Sequence, residues 1–103
     1  MKILKQADLK TGLRLKNVYD IFISHEAEKY YKKQDKSTKQ RINKCIESLS
    51  REPLSGTHIK RLHGELEGKY RYALGALRIV YEVNKKNKTV AIKAIGGRGD
   101  VYK

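Results

Sequence analysis

Residues 69–83 read KYRYALGALRIVYEV, and the fold turns on how that stretch is divided. Apolar and aromatic residues recur at every second position, the period of a half-buried strand. The period breaks once, at Gly75-Ala76. A glycine in first place of a two-residue loop marks a type II′ hairpin turn, because glycine takes the required positive φ at no steric cost. Pairing Leu74 with Leu77 across that turn puts Tyr70, Tyr72, Leu74, Leu77, Ile79, Tyr81 and Val83 on one face. Arg71, Ala73, Arg78, Val80 and Glu82 fall on the other. One face is suited to being covered, the other to water.

Working outward, the polar stretch NKKNK (84–88) reverses the chain. VAIKAI (90–95) then adds an antiparallel strand, with Val90, Ile92 and Ala94 expected on the apolar face. Upstream, HIKRLHG (58–64) leads into the hairpin. Alternation puts Arg61 and His63 on one face there, expected to be the face of Arg71 and Arg78. Before it, Ser37-Thr38-Lys39-Gln40 fits a capping box, and Ile42, Cys45, Ile46 and Leu49 follow at helical spacing until Pro53 stops the helix. An earlier helix, HEAEKYYKKQD, starts behind Ser24 as N-cap, with Glu26 and Glu28 in the first turn where the dipole favours anions. Tyr19–Ile23 is a short β-prone run. Residues 1–18 have no clear period and are expected to be an N-terminal extension to a single domain over 19–103. The fold class is α+β, in the order β-α-α-β-β-β-β, with a helical hairpin packed on one face of an antiparallel sheet.

The bulk numbers narrow the function. At 103 residues there is room for one modest core. Lysine and arginine number 24 against 11 acidic residues, a formal net charge of +13. A body this small carries that much self-repulsion most readily when its partner is polyanionic. No apolar run approaches the ~20 residues of a spanning helix, and the first residues, MKILKQADLK, lack the apolar stretch of a signal peptide. One cysteine, Cys45, makes no intrachain disulfide and fits a reducing cytoplasm. Its place on the apolar stripe makes it a core residue rather than a reactive thiol. No H-x-H, C-x-x-C or H-E-x-x-H spacing points to a metal, and no GK[ST] or G-x-S-x-G motif points to nucleotide binding or a serine hydrolase. No cofactor is expected.

What remains is a set of cations. Antiparallel pairing brings Arg78, at the start of its strand, to the end where Gly96–Arg98 leaves the last one. Arg61, His63, Arg71, Arg78 and Arg98, with Tyr102 nearby, are therefore the candidate site. Lys60, Lys93 and Lys103 are candidate contacts to a phosphate backbone, with Arg71 counted there as well. A solvated basic surface is the alternative reading of the same residues. Tyr70, Tyr72 and Tyr81 belong to the covered face and are expected in the core. His25 and His58 are expected at the surface.

YRYALGALRIVYEV followed by AIGGRGDVYK, with KRLHG before it and EAEKYYKKQDKSTKQRI at the helices, resembles the RelE/ParE superfamily of toxins over roughly residues 19–103. The resemblance implies a toxin held inactive by a cognate antitoxin. In the RelE branch it further implies ribosome-dependent cleavage of mRNA in the A site, without a metal. Carried over position by position, Arg61 and His63 match basic residues near the scissile nucleotide. Arg78 matches the arginine of the central strand, and Arg98 and Tyr102 match the terminal motif. At His63 the sequence departs from RelE, which has a lysine-type base. Cleavage of this kind needs a base at the 2′-OH, a proton donor at the 5′-oxygen and positive charge around the phosphorane. Histidine is the side chain suited to the first near neutral pH, and arginine to the last. Inhibition of DNA gyrase, as in the ParE branch, and non-catalytic binding to RNA or the ribosome remain alternatives.

Overall fold

The computed structural model describes residues 2–4 and 19–97. Eight-residue and nine-residue strands make its centre: β5 (Leu77–Asn84) and β6 (Thr89–Gly97). With β1 (Lys2–Leu4), β2 (Asp20–Ile23), β3 (Ile59–Arg61) and β4 (Lys69–Leu74) they form a six-stranded sheet in the order β1-β2-β6-β5-β4-β3. The helices α1 (His25–Lys32) and α2 (Lys36–Arg51) follow β2 and cover one face.

The central hairpin has the expected register. Leu74 pairs with Leu77, Tyr72 with Ile79 and Tyr70 with Tyr81. Gly75 takes φ +61° while Ala76 does not share the positive φ, as a II′ turn requires. The covered face is dry: Ile79 and Tyr81 are fully buried against Ile42, Cys45, Ile46 and Leu49 of α2, with Ile21, Val90 and Ile92 from the neighbouring strands. Each such aliphatic side chain contributes on the order of 1.5–3 kcal/mol on burial. The Tyr81 hydroxyl, inside this core, donates to the Pro53 carbonyl at 2.7 Å. Burial pushes its pKa far above the ordinary tyrosine value, with nearby Tyr70 and Tyr72 adding to the rise. Burial likewise raises the Cys45 thiol, outweighing the opposing influences of Tyr72 and Arg41, so it is a core residue as expected.

Four features depart from the sequence reading. The pairing of β2 with β6 is parallel, so the sheet is mixed rather than wholly antiparallel. The chain between them, α1 and α2 followed by β3, β4 and β5, provides the long connection that a parallel neighbour needs. Lys2–Leu4, within the supposed extension, forms a sixth strand antiparallel to β2. Helix α2 begins at Lys36, not behind Ser37: the Asp35 side chain is the N-cap and accepts from the Thr38 amide at 2.8 Å. That bond holds the Asp35 carboxyl below its ordinary range.

The fourth departure reshapes β6. Tyr81 pairs with Ile92 but Val80 pairs with Ala94, so Lys93 is an extra residue, a β-bulge. Beyond it the faces swap. Ile95 takes the core position, only 6% exposed, and Ala94 moves to the open face instead of the apolar one. The bulge is stapled to the helix layer. The Ser24 amide donates to the Ile92 carbonyl at 2.9 Å, and its hydroxyl donates to the Lys93 carbonyl at 2.8 Å. The same hydroxyl oxygen caps α1 by accepting from the Ala27 amide at 3.1 Å, as expected of Ser24.

A cationic open face and its relatives

The face of the sheet away from the helices carries the charge. Its central row is Lys60 on β3, Arg71 on β4, Val80 on β5 and Ala94 on β6, joined by cross-strand pairing. Two residues along in one direction lies the row of Ala73 and Arg78. Two residues along in the other lies the row of Lys69 and Glu82. Rows at this spacing stand about 7 Å apart.

Arg71 is the centre of this surface. It is half-buried, its Nε is buried without a hydrogen-bond partner, and among the described residues it has no ion pair. Beside it Val80, its cross-strand partner, is only 3% exposed, so the middle of this face is dry. An unpaired donor there is costly unless an acceptor arrives. Lys60, across the strand pair, likewise has no ion-pair partner among the described residues and is exposed.

Arg78 is held differently. Its Nη1 donates to the Gly75 carbonyl at 2.6 Å and to the Leu77 carbonyl at 3.0 Å, so the guanidinium is folded over its own turn. Among the described residues nothing takes up Nη2 and Nε, which a side chain already oriented presents to an anion. Gly96 sits opposite Arg78 on β6, and β6 ends at Gly97. Arg98, Tyr102 and Lys103 lie outside the described residues.

Glu82 is the one carboxylate that β4, β5 and β6 contribute to the open face. It bridges two lysines: Lys69 Nζ lies 3.4 Å from Oε2 and Lys93 Nζ lies 3.3 Å from Oε1. Burial acting alone would raise its pKa. The hydrogen bonds and charges of Lys93 and Lys69 outweigh that and hold it below the usual carboxylate range. A shallow 520 Å³ hollow opens next to it, lined by Gly68, Val83, Asn84, Lys85, Thr89 and Ala91.

Not all the expected residues meet here. Arg61 pairs with Tyr70, so it belongs to the helix side of the sheet, and Lys60 takes the place beside Arg71 that alternation gave to Arg61. His63 comes after the strand, exposed, at the start of a 3-10 turn over Gly64–Leu66. It lies two residues beyond the end of β3, on the far side of the Arg61–Tyr70 pair from the Arg78 row. Arg61 and His63 are therefore not brought together with Arg71 and Arg78. Lys69 and Glu82 are the residues the sequence reading did not single out as site residues. Alternation already put Glu82 on the Arg71 face, and the same rule applied one step further back reaches Lys69. His25 and His58 are exposed, as expected, although the His58 ring lies 5.4 Å from that of Tyr72. Among the described residues no group of three or more His, Cys, Asp or Glu side chains is placed to hold a metal ion, and no helix is long and apolar enough to cross a membrane.

Comparison with known proteins places this arrangement. Solved structures with the same fold include the RelBE2 toxin–antitoxin complex of Mycobacterium tuberculosis, 26% identical over 81% of this chain and 94% of that one, with a TM-score of 0.71. The archaeal RelE–RelB complex of Pyrococcus horikoshii is 27% identical over 82% of this chain and 99% of that one, with a TM-score of 0.69. The intact RelBE complex of Escherichia coli shares the fold at 18% identity and a TM-score of 0.65, over 81% and 98% of the two chains. No curated protein matches the chain in sequence. Residues 21–102 match the family described as the ParE toxin of type II toxin-antitoxin system, parDE. With that match running from β2 past the end of β6, the chain belongs to the ParE toxin family of type II toxin–antitoxin systems, within the RelE/ParE superfamily.

Proposed function

We propose that this toxin is an endoribonuclease that cuts mRNA on the ribosome, in the A site, without a metal, and that a cognate antitoxin holds it inactive by covering the open face. Arg71 carries the reading: a guanidinium whose buried Nε is unpartnered, at the centre of an open cationic surface, meets no carboxylate among the described residues, and a phosphate supplies the missing acceptor. Arg71 and Arg78 stabilise the phosphorane from adjacent rows, joined by Arg98 from the segment that follows β6. Lys60, Lys93 and Lys103 hold neighbouring phosphates. The 2′-hydroxyl gives its proton to solvent water as its oxygen bonds to phosphorus and the bond to the 5′-oxygen breaks, leaving a 2′,3′-cyclic phosphate and, once that oxygen is protonated, a 5′-hydroxyl. The proposed donor to that departing oxygen is the Tyr102 hydroxyl, four residues after Arg98 in the chain. His63, distant from the Arg78 row, is no longer the proposed base, and Arg61 leaves the centre with it. Positioning by the ribosome supplies much of the barrier lowering, which suits a site with few groups for proton transfer. The proposed workplace is the cytoplasm.

The match to the ParE family supports a second reading, inhibition of DNA gyrase. One experiment separates them: purified toxin added to programmed ribosomes and to the same mRNA alone, with 5′ ends mapped by primer extension. Cuts that need ribosomes and vanish with Arg71→Ala or Arg98→Ala sustain the nuclease. Intact mRNA from folded protein, together with loss of gyrase supercoiling, replaces it with the second reading.

A further inference from the structure

The Lys69–Glu82–Lys93 bridge is unusual for its place. The face is otherwise cationic across β4, β5 and β6, and its single carboxylate stands one row from Arg71, touching two ammonium groups. Nothing in the packing requires it there. The three side chains are 26%, 42% and 38% exposed in chain order, so they do not fill a core, and ion pairs this wet add little stability. The placement of Lys93 is nonetheless built. A bulge makes it the extra residue of β6, and Ser24, itself the cap of α1, clamps the bulge at two carbonyls. Bulges re-aim a side chain, and this one aims a lysine at Glu82.

We propose that Glu82 acts as an internal stand-in for a substrate phosphate: it occupies Lys69 and Lys93 in the free toxin, and RNA must displace it to use them. The inference rests on the nuclease reading for its biological meaning, but its chemistry concerns the binding of RNA alone. A carboxylate and a phosphate oxygen offer an ammonium the same charge-assisted hydrogen bond. Loose RNA exchanges one such bond for another and gains little. RNA fixed in place by a larger particle has already met its ordering cost, and displaces Glu82 more readily. The toxin is thereby kept weak on RNA it meets in solution.

Binding tests this without relying on cleavage. A fluorescent single-stranded RNA oligonucleotide is titrated with wild-type toxin, with Glu82→Gln and with Glu26→Gln across a KCl series, read by anisotropy. Glu26 is exposed in the first turn of α1, so its variant makes the same change in net charge away from the sheet. Each phosphate neutralised on a single strand adds about 0.7 to the salt slope, so release of two lysines steepens the slope of Glu82→Gln by about 1.4. Its affinity rises about tenfold at low salt, an expectation built on local charge in partly screened surroundings. Glu26→Gln changes neither by a comparable amount. Glu82→Gln also gains cleavage of ribosome-free mRNA relative to ribosome-bound mRNA. Equal slopes and affinities for the two variants overturn the proposal, as does an absence of RNA binding in all three proteins. If Glu82→Gln binds as expected and no protein cuts mRNA anywhere, the counter-charge stands and the nuclease reading falls.

Discussion

Arg71 and Tyr72 are neighbours in the chain and belong to different worlds. Tyr72 faces the helices, 9% exposed, in a layer with Ile79 and Leu49. Arg71 faces away, half-buried, in a layer with Lys60 and Arg78 and with no ion-pair partner among the described residues. The same strands carry both layers, and only the pleat separates them. One layer is close-packed, so its identity is fixed by volume and by satisfied polar groups. The other is a surface where charge accumulates at little cost to folding. This contrast predicts that substitutions sort by face: stability lost from one side, function from the other.

The largest effects test the covered side. Leu49→Ala removes a side chain with no exposure from the last turn of α2, and is expected to cost about 2–5 kcal/mol in urea unfolding, the range for cavity-forming core substitutions. Arg71→Ala is the counterpart. Mapped ribosome-dependent cleavage is expected to fall about a hundredfold or more, as when a donor to a developing anion is removed. Stability should change by less than about 1 kcal/mol, in the range of surface substitutions with some loss of stem packing. An Arg71→Ala protein as unstable as Leu49→Ala would break the comparison.

Tyr81→Phe sharpens it from inside. The variant keeps the ring, which stacks on Tyr70 at 5.7 Å between centroids, and deletes only the hydroxyl that satisfies the Pro53 carbonyl. Leaving that carbonyl unpaired in a dry site is expected to cost about 1–3 kcal/mol. The wild type should also resist alkali differently from the variant. The folded pKa of Tyr81 is raised, so the stability it contributes is intact below the unfolded value near 10 and is lost as pH climbs from there toward the folded value. The gap between wild type and Tyr81→Phe in unfolding free energy should therefore narrow only above pH ~10.

What was legible in the sequence follows the same division. The hairpin around Gly75-Ala76 and the α2 stripe were readable because period and turn chemistry agree there, so the core face and the Arg71–Arg78 face both came through. The family match and the fold agree with the resemblance carried by those strands and the terminal motif. Parity was lost wherever something outside a strand decides it. Lys60 and Arg61 exchange faces according to the number of residues in the 3-10 turn and Gly68, whose φ is +91°. Nothing in the alternation of HIKRLHG records that number. VAIKAI has apolar residues at both parities, so it fits the sheet with or without a bulge at Lys93. The choice is made by Ser24, nearly 70 residues away in sequence. Asp35 and Ser37 are both good N-caps. The helix starts at the earlier one, where an ionised carboxylate also meets the dipole.

The smallest effect belongs to Glu82, and it tests whether the open face contributes to folding at all. Its folded pKa is depressed by Lys93 and Lys69 despite burial. Any stability it adds is therefore present above the unfolded value near 4.3 and is lost as pH falls through the folded one. Exposure of 42% screens the pair, which limits that contribution to less than about 0.5 kcal/mol. For a domain of this size that is a melting shift of no more than about 3 °C. Wild type and Glu82→Gln should then melt almost together at pH 7 and coincide below pH 3, while differing clearly in RNA affinity. A melting difference of many degrees at pH 7 would mean that the lysine bridge is a structural strut. The charged face would then be part of what holds the sheet, and the division of labour between the two faces would fail at this residue.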